Sequence, residues 1–211
     1  MRPPPMVQRA ASALLVIDFQ EKLAALIAER HRIEANLGRL VCAARLLSVP
    51  VLATEQYPQG LGPTTAGLRR WLEEPLQKLA FSCCGEPVVR ERIASVRRRQ
   101  WVLVGIETHI CVAQTALELT ALPEVEEVYV VADACGARRE LDHTTALARL
   151  RHAGVHVTTA EAVLFEWLRR AGTDEFRAVS RLVRMSDEAV LTATEDLIAG
   201  RSKDHDQGQC G

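Results

Sequence analysis

Three residue types that together can activate a nucleophile stand far apart in the chain: Asp18, Lys78 and Cys111. A thiol attacks a carbonyl as its thiolate, so it needs a base to take its proton and a cation to steady the charge. Asp18 directly follows five aliphatic residues, 13–17, and Cys111 lies five residues beyond the apolar run 101–106. A cysteine close to a helix start meets free N–H groups and the positive end of the helix dipole, a setting that lowers a thiol pKa. Each residue also has a plainer reading. Cys111 reads as a small buried hydrophobe, Asp18 as a cap for a helix beginning near residue 21, and Lys78 as a solvated side chain. The acid, the amine and the thiol on neighbouring strand ends together say more than any one of them. His109 is a weaker candidate base, because a neighbour two residues away on a helix start points elsewhere.

The elements that must position these residues follow from the hydrophobic pattern. Strand-length apolar runs at 13–17, 50–54, 79–82, 101–106, 125–132 and 155–158 alternate with helical periodicity at 21–47, 87–97, 108–122, 140–153, 160–170 and 174–184. This alternation predicts an α/β, three-layer Rossmann-like fold: a six-stranded parallel sheet with helices on both faces. The polar stretch 29–32 divides the first long helix, and 56–63 reads as a loop. The expected organisation is an N-terminal extension over 1–12, one domain over 13–185 and a C-terminal tail over 186–211. That tail holds one more helix, 188–199, before a polar, partly disordered end. In open α/β sheets ligands collect outside the carboxyl ends of the strands. The rule selects Asp18, the loop after strand two, the surroundings of strand three and Cys111.

Composition narrows the function classes. A chain of 211 residues with 48% hydrophobic and 25% charged residues is globular, and 26 basic against 27 acidic residues gives a net charge of −1. Nucleic-acid binders carry a basic surplus to neutralise phosphates, so no nucleic-acid partner is expected. No apolar run approaches the roughly 18 residues that cross a bilayer, so no membrane partner is expected either. The start of the chain lacks a secretory cleavage site. A cytoplasmic location is the first expectation and a short mitochondrial transit signal the alternative. The six cysteines show no CxxC spacing, and the histidines form no HxH or HExxH pattern, so no metal and no cofactor are expected. The glycines at 60, 62 and 67 do not make a dinucleotide fingerprint. Arg97–Arg99 read as a solvated helix end.

Several runs carry a family resemblance. They are Val16-Ile17-Asp18-Phe19-Gln20-Glu21-Lys22, the run from Thr54 to Thr64, Lys78 with Phe81-Ser82-Cys83, and Gly105-Ile106-Glu107-Thr108-His109-Ile110-Cys111. Val131 to Cys135 and Thr158 to Glu161 extend it. On these the chain resembles the isochorismatase-like cysteine hydrolase superfamily, within it the isochorismatase domain-containing protein 2 group. The resemblance implies a triad of Asp18, Lys78 and Cys111, with Cys111 forming a thioester. It also implies a non-proline cis peptide at Ile106–Glu107 and an oxyanion hole from the amides of Glu107 and Cys111. Phe19, Gln20, Glu55, Tyr57, Phe81, Ser82 and Thr108 are the expected substrate pocket.

Metal-dependent nicotinamidases of this superfamily hold the ion with Asp and His after strand two, where this chain has Glu55-Gln56-Tyr57. True isochorismatases lack the cysteine. The expected function is therefore a metal-independent hydrolase of a C–N bond in a small amide or carbamoyl compound. The alternatives are a non-catalytic interaction module on the same fold and an enol-ether hydrolase. The expected partners are a small-molecule substrate and further copies of the chain in a homo-oligomer.

Overall fold

Strands covered on both faces need aliphatic side chains in both directions, and the runs of Val, Leu and Ile supply them. The computed structural model describes residues 5–193 and shows one six-stranded, all-parallel sheet in a three-layer α/β fold. Its strands are β1 (Ser12–Ile17), β2 (Val51–Gln56), β3 (Leu76–Lys78), β4 (Gln100–Ile106), β5 (Glu127–Gly136) and β6 (His156–Thr158). The helices are α1 (Glu21–Ala24), α2 (Arg30–Leu46), α3 (Pro58–Leu61), α4 (Ala66–Arg69) and α5 (Pro87–Val96). They continue with α6 (Ala113–Thr120), α7 (Glu140–His152), α8 (Ala160–Leu168), α9 (Asp174–Arg184) and α10 (Asp187–Thr192). Strand order is β3-β2-β1-β4-β5-β6. The chain builds outward from β1 to β3, then returns to the far side of β1 for β4, so the direction of winding reverses between β1 and β4. That reversal opens a crevice at the carboxyl ends of β1 and β4.

Two apolar cores lie on the two faces of the sheet. One packs Leu14, Val16, Val102, Val104 and Tyr129 with residues of α2, α8 and α9. The other packs Leu15, Ile17, Leu103 and Val130 with residues of α5, α6 and α7. The strands β1 and β4 come unusually close at Gly105, which has a φ of 119° and where a Cβ would stand 2.0 Å from the Ile17 carbonyl oxygen. Only glycine meets both demands, the positive φ and the missing side chain.

The long 21–47 segment is divided as its polar break predicts, into α1 and α2. Three expectations need correction. The third strand is Leu76–Lys78 rather than 79–82: Leu76, Gln77 and Lys78 pair with Thr54, Glu55 and Gln56, after which the chain turns away. Its three residues are too few to show a period, and the apolar Leu79 and Phe81 that mimicked a strand are exposed. The 56–63 loop contains α3, which Pro58 starts at a first-turn position. The 108–122 helix opens with one wide π turn over Thr108–Val112 before α6.

Packed structure also extends beyond the expected 13–185 limits. Val7 is fully buried and its N–H donates to Glu166. α10 lies on α2, with Val190 seated against Gly38 and Asp187 paired with Arg39 at 2.9 Å. The end of the predicted 188–199 helix and the polar end of the tail lie outside the described residues.

Candidate active site

The crevice between β1 and β4 receives one side chain from each of three strand ends. Asp18 is the first residue past β1 and adopts a left-handed conformation, φ 50°, uncommon without a glycine. Lys78 closes β3, and its ammonium lies 2.7 Å from Asp18 Oδ2, both side chains having no solvent exposure. Cys111 sits within the π turn after β4, 5% exposed, near enough that the charges of both Asp18 and Lys78 act on its thiol. Asp18 therefore contacts the amine directly and lies close enough for its charge to bear on the thiol.

A buried ion pair holds only if its remaining hydrogen-bonding capacity is satisfied. Thr54 donates its hydroxyl to Asp18 Oδ1 at 2.8 Å. Lys78 Nζ donates to Gln56 Oε1 at 2.7 Å, to the Phe81 carbonyl at 2.9 Å and to the Ala80 carbonyl at 3.2 Å. The turn after β3 thus wraps its carbonyls around the ammonium. Sequence reasoning missed Thr54 and Gln56. A Thr and a Gln at the end of a buried strand, where apolar residues are the rule, were the available signal.

The charges fix the direction of each proton. Burial alone would pull the Lys78 ammonium pKa down, but the Asp18 carboxylate, helped by Cys111 and Cys83, outweighs it and the net shift is upward. Lys78 stays charged. Burial, then the negative charge of Asp18, push the Cys111 thiol up against the opposing pull of Lys78. This corrects the expectation of a lowered thiol pKa. The helix-start argument counted the dipole and left out the dry crevice and the adjacent carboxylate. Cys83, also close to the centre, is fully buried and its thiol is pushed up to about 12, mainly by burial.

The other predicted residues are divided between the crevice and its supports. The peptide Ile106–Glu107 is cis. The Glu107 side chain is buried, accepting from the Arg138 N–H at 2.9 Å and from Arg138 Nε at 3.0 Å. Gln20 is fully buried, donating to the Gln56 and Gly62 carbonyls and accepting from the Gln56 N–H. Glu55 accepts both the N–H and the hydroxyl of Thr64. Ser82 donates to Glu118 and caps the turn that holds Cys83. Thr108 is buried and bonds His143 Nδ1 at 2.9 Å. Gln20, Glu55, Ser82 and Thr108 thus have their polar groups engaged inside the protein, holding loops in place. Phe19 is wholly buried, whereas Tyr57 and Phe81 are half exposed beside β3. His109 faces Asp142 at 3.9 Å. Asp133 accepts the first N–H of α8 and so ties β5 to that helix.

Six parallel strands with a carboxylate, an ammonium and a thiol gathered where the winding reverses define a three-layer α/β fold with its candidate site at the switch point. The chain belongs to the isochorismatase family: residues 12–162 match the family's Isochorismatase domain. It is 39% identical over 175 residues to the isochorismatase domain-containing protein 2 of Bos taurus, covering 82% of this chain and 83% of that protein. Its fold is similar to the structure titled MAR1 ribonuclease from Caenorhabditis elegans, with a TM-score of 0.79, 35% identity and coverage of 87% of this chain and 94% of that one. The YcaC gene product of Escherichia coli, described as an octameric hydrolase of unknown specificity, shares the fold at a TM-score of 0.76 and 23% identity, covering 85% and 92% of the two chains. Among the described residues no helix is long and apolar enough to cross a membrane.

Proposed function

We propose that the chain is a metal-independent cysteine hydrolase that cleaves a C–N bond of a small amide or carbamoyl compound through a thioester on Cys111. The observation that supports this reading is that Asp18 pairs with the Lys78 ammonium at 2.7 Å while its charge also bears on the buried Cys111 thiol. A thiol that stays protonated at rest needs a base at the moment of attack, and Asp18 is in place for it. As sulfur bonds to the carbonyl carbon, its proton passes to Asp18, and Lys78 holds the carboxyl group in position. The tetrahedral oxyanion is received by the amides of Glu107 and Cys111. Collapse expels the amine, which leaves with the proton from Asp18. Water then attacks the thioester, gives its proton to Asp18, and the acid departs as the thiol is restored.

Metal independence rests on the end of β2 and the segment after it, where no histidine occurs and Glu55 is engaged by Thr64. Phe19, Tyr57 and Phe81 are the proposed pocket walls. The octameric fold neighbour supports a homo-oligomer for this chain too, a reading that sedimentation as a monomer alone would remove.

The test is a screen of small amides and carbamoyl compounds with the wild type and the Cys111→Ala variant. Turnover that disappears in the variant is the expected result. Replacing Asp18 by Asn removes proton transfer and is expected to slow turnover by roughly 10²–10⁴-fold. Equal turnover with and without the thiol overturns the proposal. Isochorismate cleavage that survives Cys111→Ala would point to the enol-ether reading, and RNA cleavage that survives it to the activity named for the worm protein. No turnover above blank, with a specific protein partner still bound, would favour an interaction module.

A further inference from the structure

We propose that this site takes an uncharged substrate whose flat apolar group stacks on Tyr57, opposite Phe81. The inference rests on the cysteine-hydrolase reading and narrows its substrate class.

Tyr57 directly follows β2, as Asp18 follows the neighbouring β1, and both take left-handed backbone conformations, φ 39° and φ 50°. A bulky side chain in that region is a genuine outlier, and such residues cluster where a site imposes them. Gly60 makes a second concession to the same side chain. A Cβ on Gly60 would stand 2.4 Å from Tyr57 Cε1, so the ring packs against a position that only glycine leaves open. Both concessions hold an aromatic ring that stays 51% exposed, and packing the core cannot account for that.

The backbones that carry the two rings are tied to Lys78. The Tyr57 N–H donates to the Lys78 carbonyl at 2.9 Å, and the Phe81 carbonyl accepts from Lys78 Nζ at 2.9 Å. Phe81 is 55% exposed. Two half-exposed aromatic residues are therefore held by their backbones at the residue that pairs with Asp18, and an exposed ring has a flat face for an apolar group.

The charges argue for a neutral guest. The three N–H bonds of the Lys78 ammonium are shared among Asp18, Gln56, Phe81 and Ala80, which leaves no donor for a substrate carboxylate. Lys22 donates to the Gly60 carbonyl and Arg138 is paired with Glu107, while the neighbouring Arg139 precedes α7 with its side chain exposed. An anionic group entering beside Asp18 would lose its water and meet a like charge.

Three p-nitrophenyl esters with the same leaving group test this: the acetate, the benzoate and the 4-carboxybenzoate. In the wild type, kcat/KM for benzoate should exceed that for 4-carboxybenzoate by roughly 100-fold, the size of a buried unpaired charge. Tyr57→Ala and Gly60→Ala should each lower the benzoate-to-acetate ratio of kcat/KM by roughly 2- to 12-fold, the range of an aromatic stack. Tyr57→Phe should keep that ratio, which separates stacking from a role of the hydroxyl. Circular dichroism of each variant establishes that it is folded. A 4-carboxybenzoate rate equal to or above the benzoate rate, or an unchanged ratio in both Tyr57→Ala and Gly60→Ala, overturns the inference and leaves the hydrolase reading standing. No wild-type release above blank from any ester, or full rates in Cys111→Ala, overturns both.

Discussion

Cys111 and Cys135 occupy neighbouring regions of one sheet, the exit of β4 and the end of β5, and the same physics acts on both thiols. Each is buried, and burial is the largest cause raising each pKa, to about 12 for Cys135. What differs is the company. Cys135 lies in the β-ladder opposite Gly105, with the Leu103 carbonyl 3.9 Å from its sulfur. Cys111 has a carboxylate able to receive its proton and an ammonium fixed behind that carboxylate. Burial makes a thiol inert. A buried thiol becomes a nucleophile when a base beside it can take the proton as the bond forms. Topology supplies the difference, because Cys111 follows a strand at the winding reversal and Cys135 sits inside a ladder.

The largest expected effect tests the element that joins the two regions. Gly105 pairs with both Ile17 and Cys135, and a Cβ there would collide with the Ile17 carbonyl. Gly105→Ala is expected to cost more than about 4 kcal/mol, read by urea denaturation, because neither strand can yield without disturbing both thiol environments. A loss under 1 kcal/mol would mean the close approach is not needed.

Next comes the ion pair. Lys78→Met leaves the Asp18 charge buried without a partner and is expected to destabilise the fold by about 3–5 kcal/mol. Adding Asp18→Asn to it should recover much of that loss while activity stays absent. Failure of the double variant to recover stability would show that Lys78 contributes mainly through packing.

The smallest effect sharpens the contrast between the thiols. Cys135 has a folded pKa of about 12 against roughly 8.5 for an unfolded thiol. Its contribution is fully present below the unfolded value and is lost as pH rises toward the folded one, since only the unfolded chain then releases the proton. Between those values each such thiol lowers stability by about 1.4 kcal/mol per pH unit. Cys135→Ala should remove one such increment from the slope of unfolding free energy measured from pH 9 to pH 10.5. An unchanged slope would mean that Cys135 ionises as readily in the fold as out of it.

Much of this arrangement was legible in the residues. The aliphatic runs of β1 and β4 place Asp18 and Cys111 at strand exits, and the alternation of runs and helical periods gives the parallel sheet and the crevice. What stayed hidden depends on tertiary pairing. β3 has three residues and no period, so Lys78 seemed to lie just before a strand that it closes. Thr54 and Gln56 support the ion pair through contacts with no sequence spacing of their own. The π turn differs from an α-helix only in hydrogen-bond register, and α10 is held by Val190 fitting a glycine 152 positions away on α2, Gly38. The thiol pKa was misjudged for a similar reason: dipoles follow from local sequence, whereas desolvation depends on everything folded around the group.

The central claim is that Cys111 carries the acyl group. Intact-mass and peptide mass spectrometry of wild-type protein, acid-quenched within its first turnover of p-nitrophenyl benzoate, tests it directly. The predicted result is one benzoyl group on the peptide containing Cys111, absent from Cys111→Ala and cleared when the ester is exhausted. Turnover with no adduct at that sulfur, or with the group stably attached to another residue, would contradict the account.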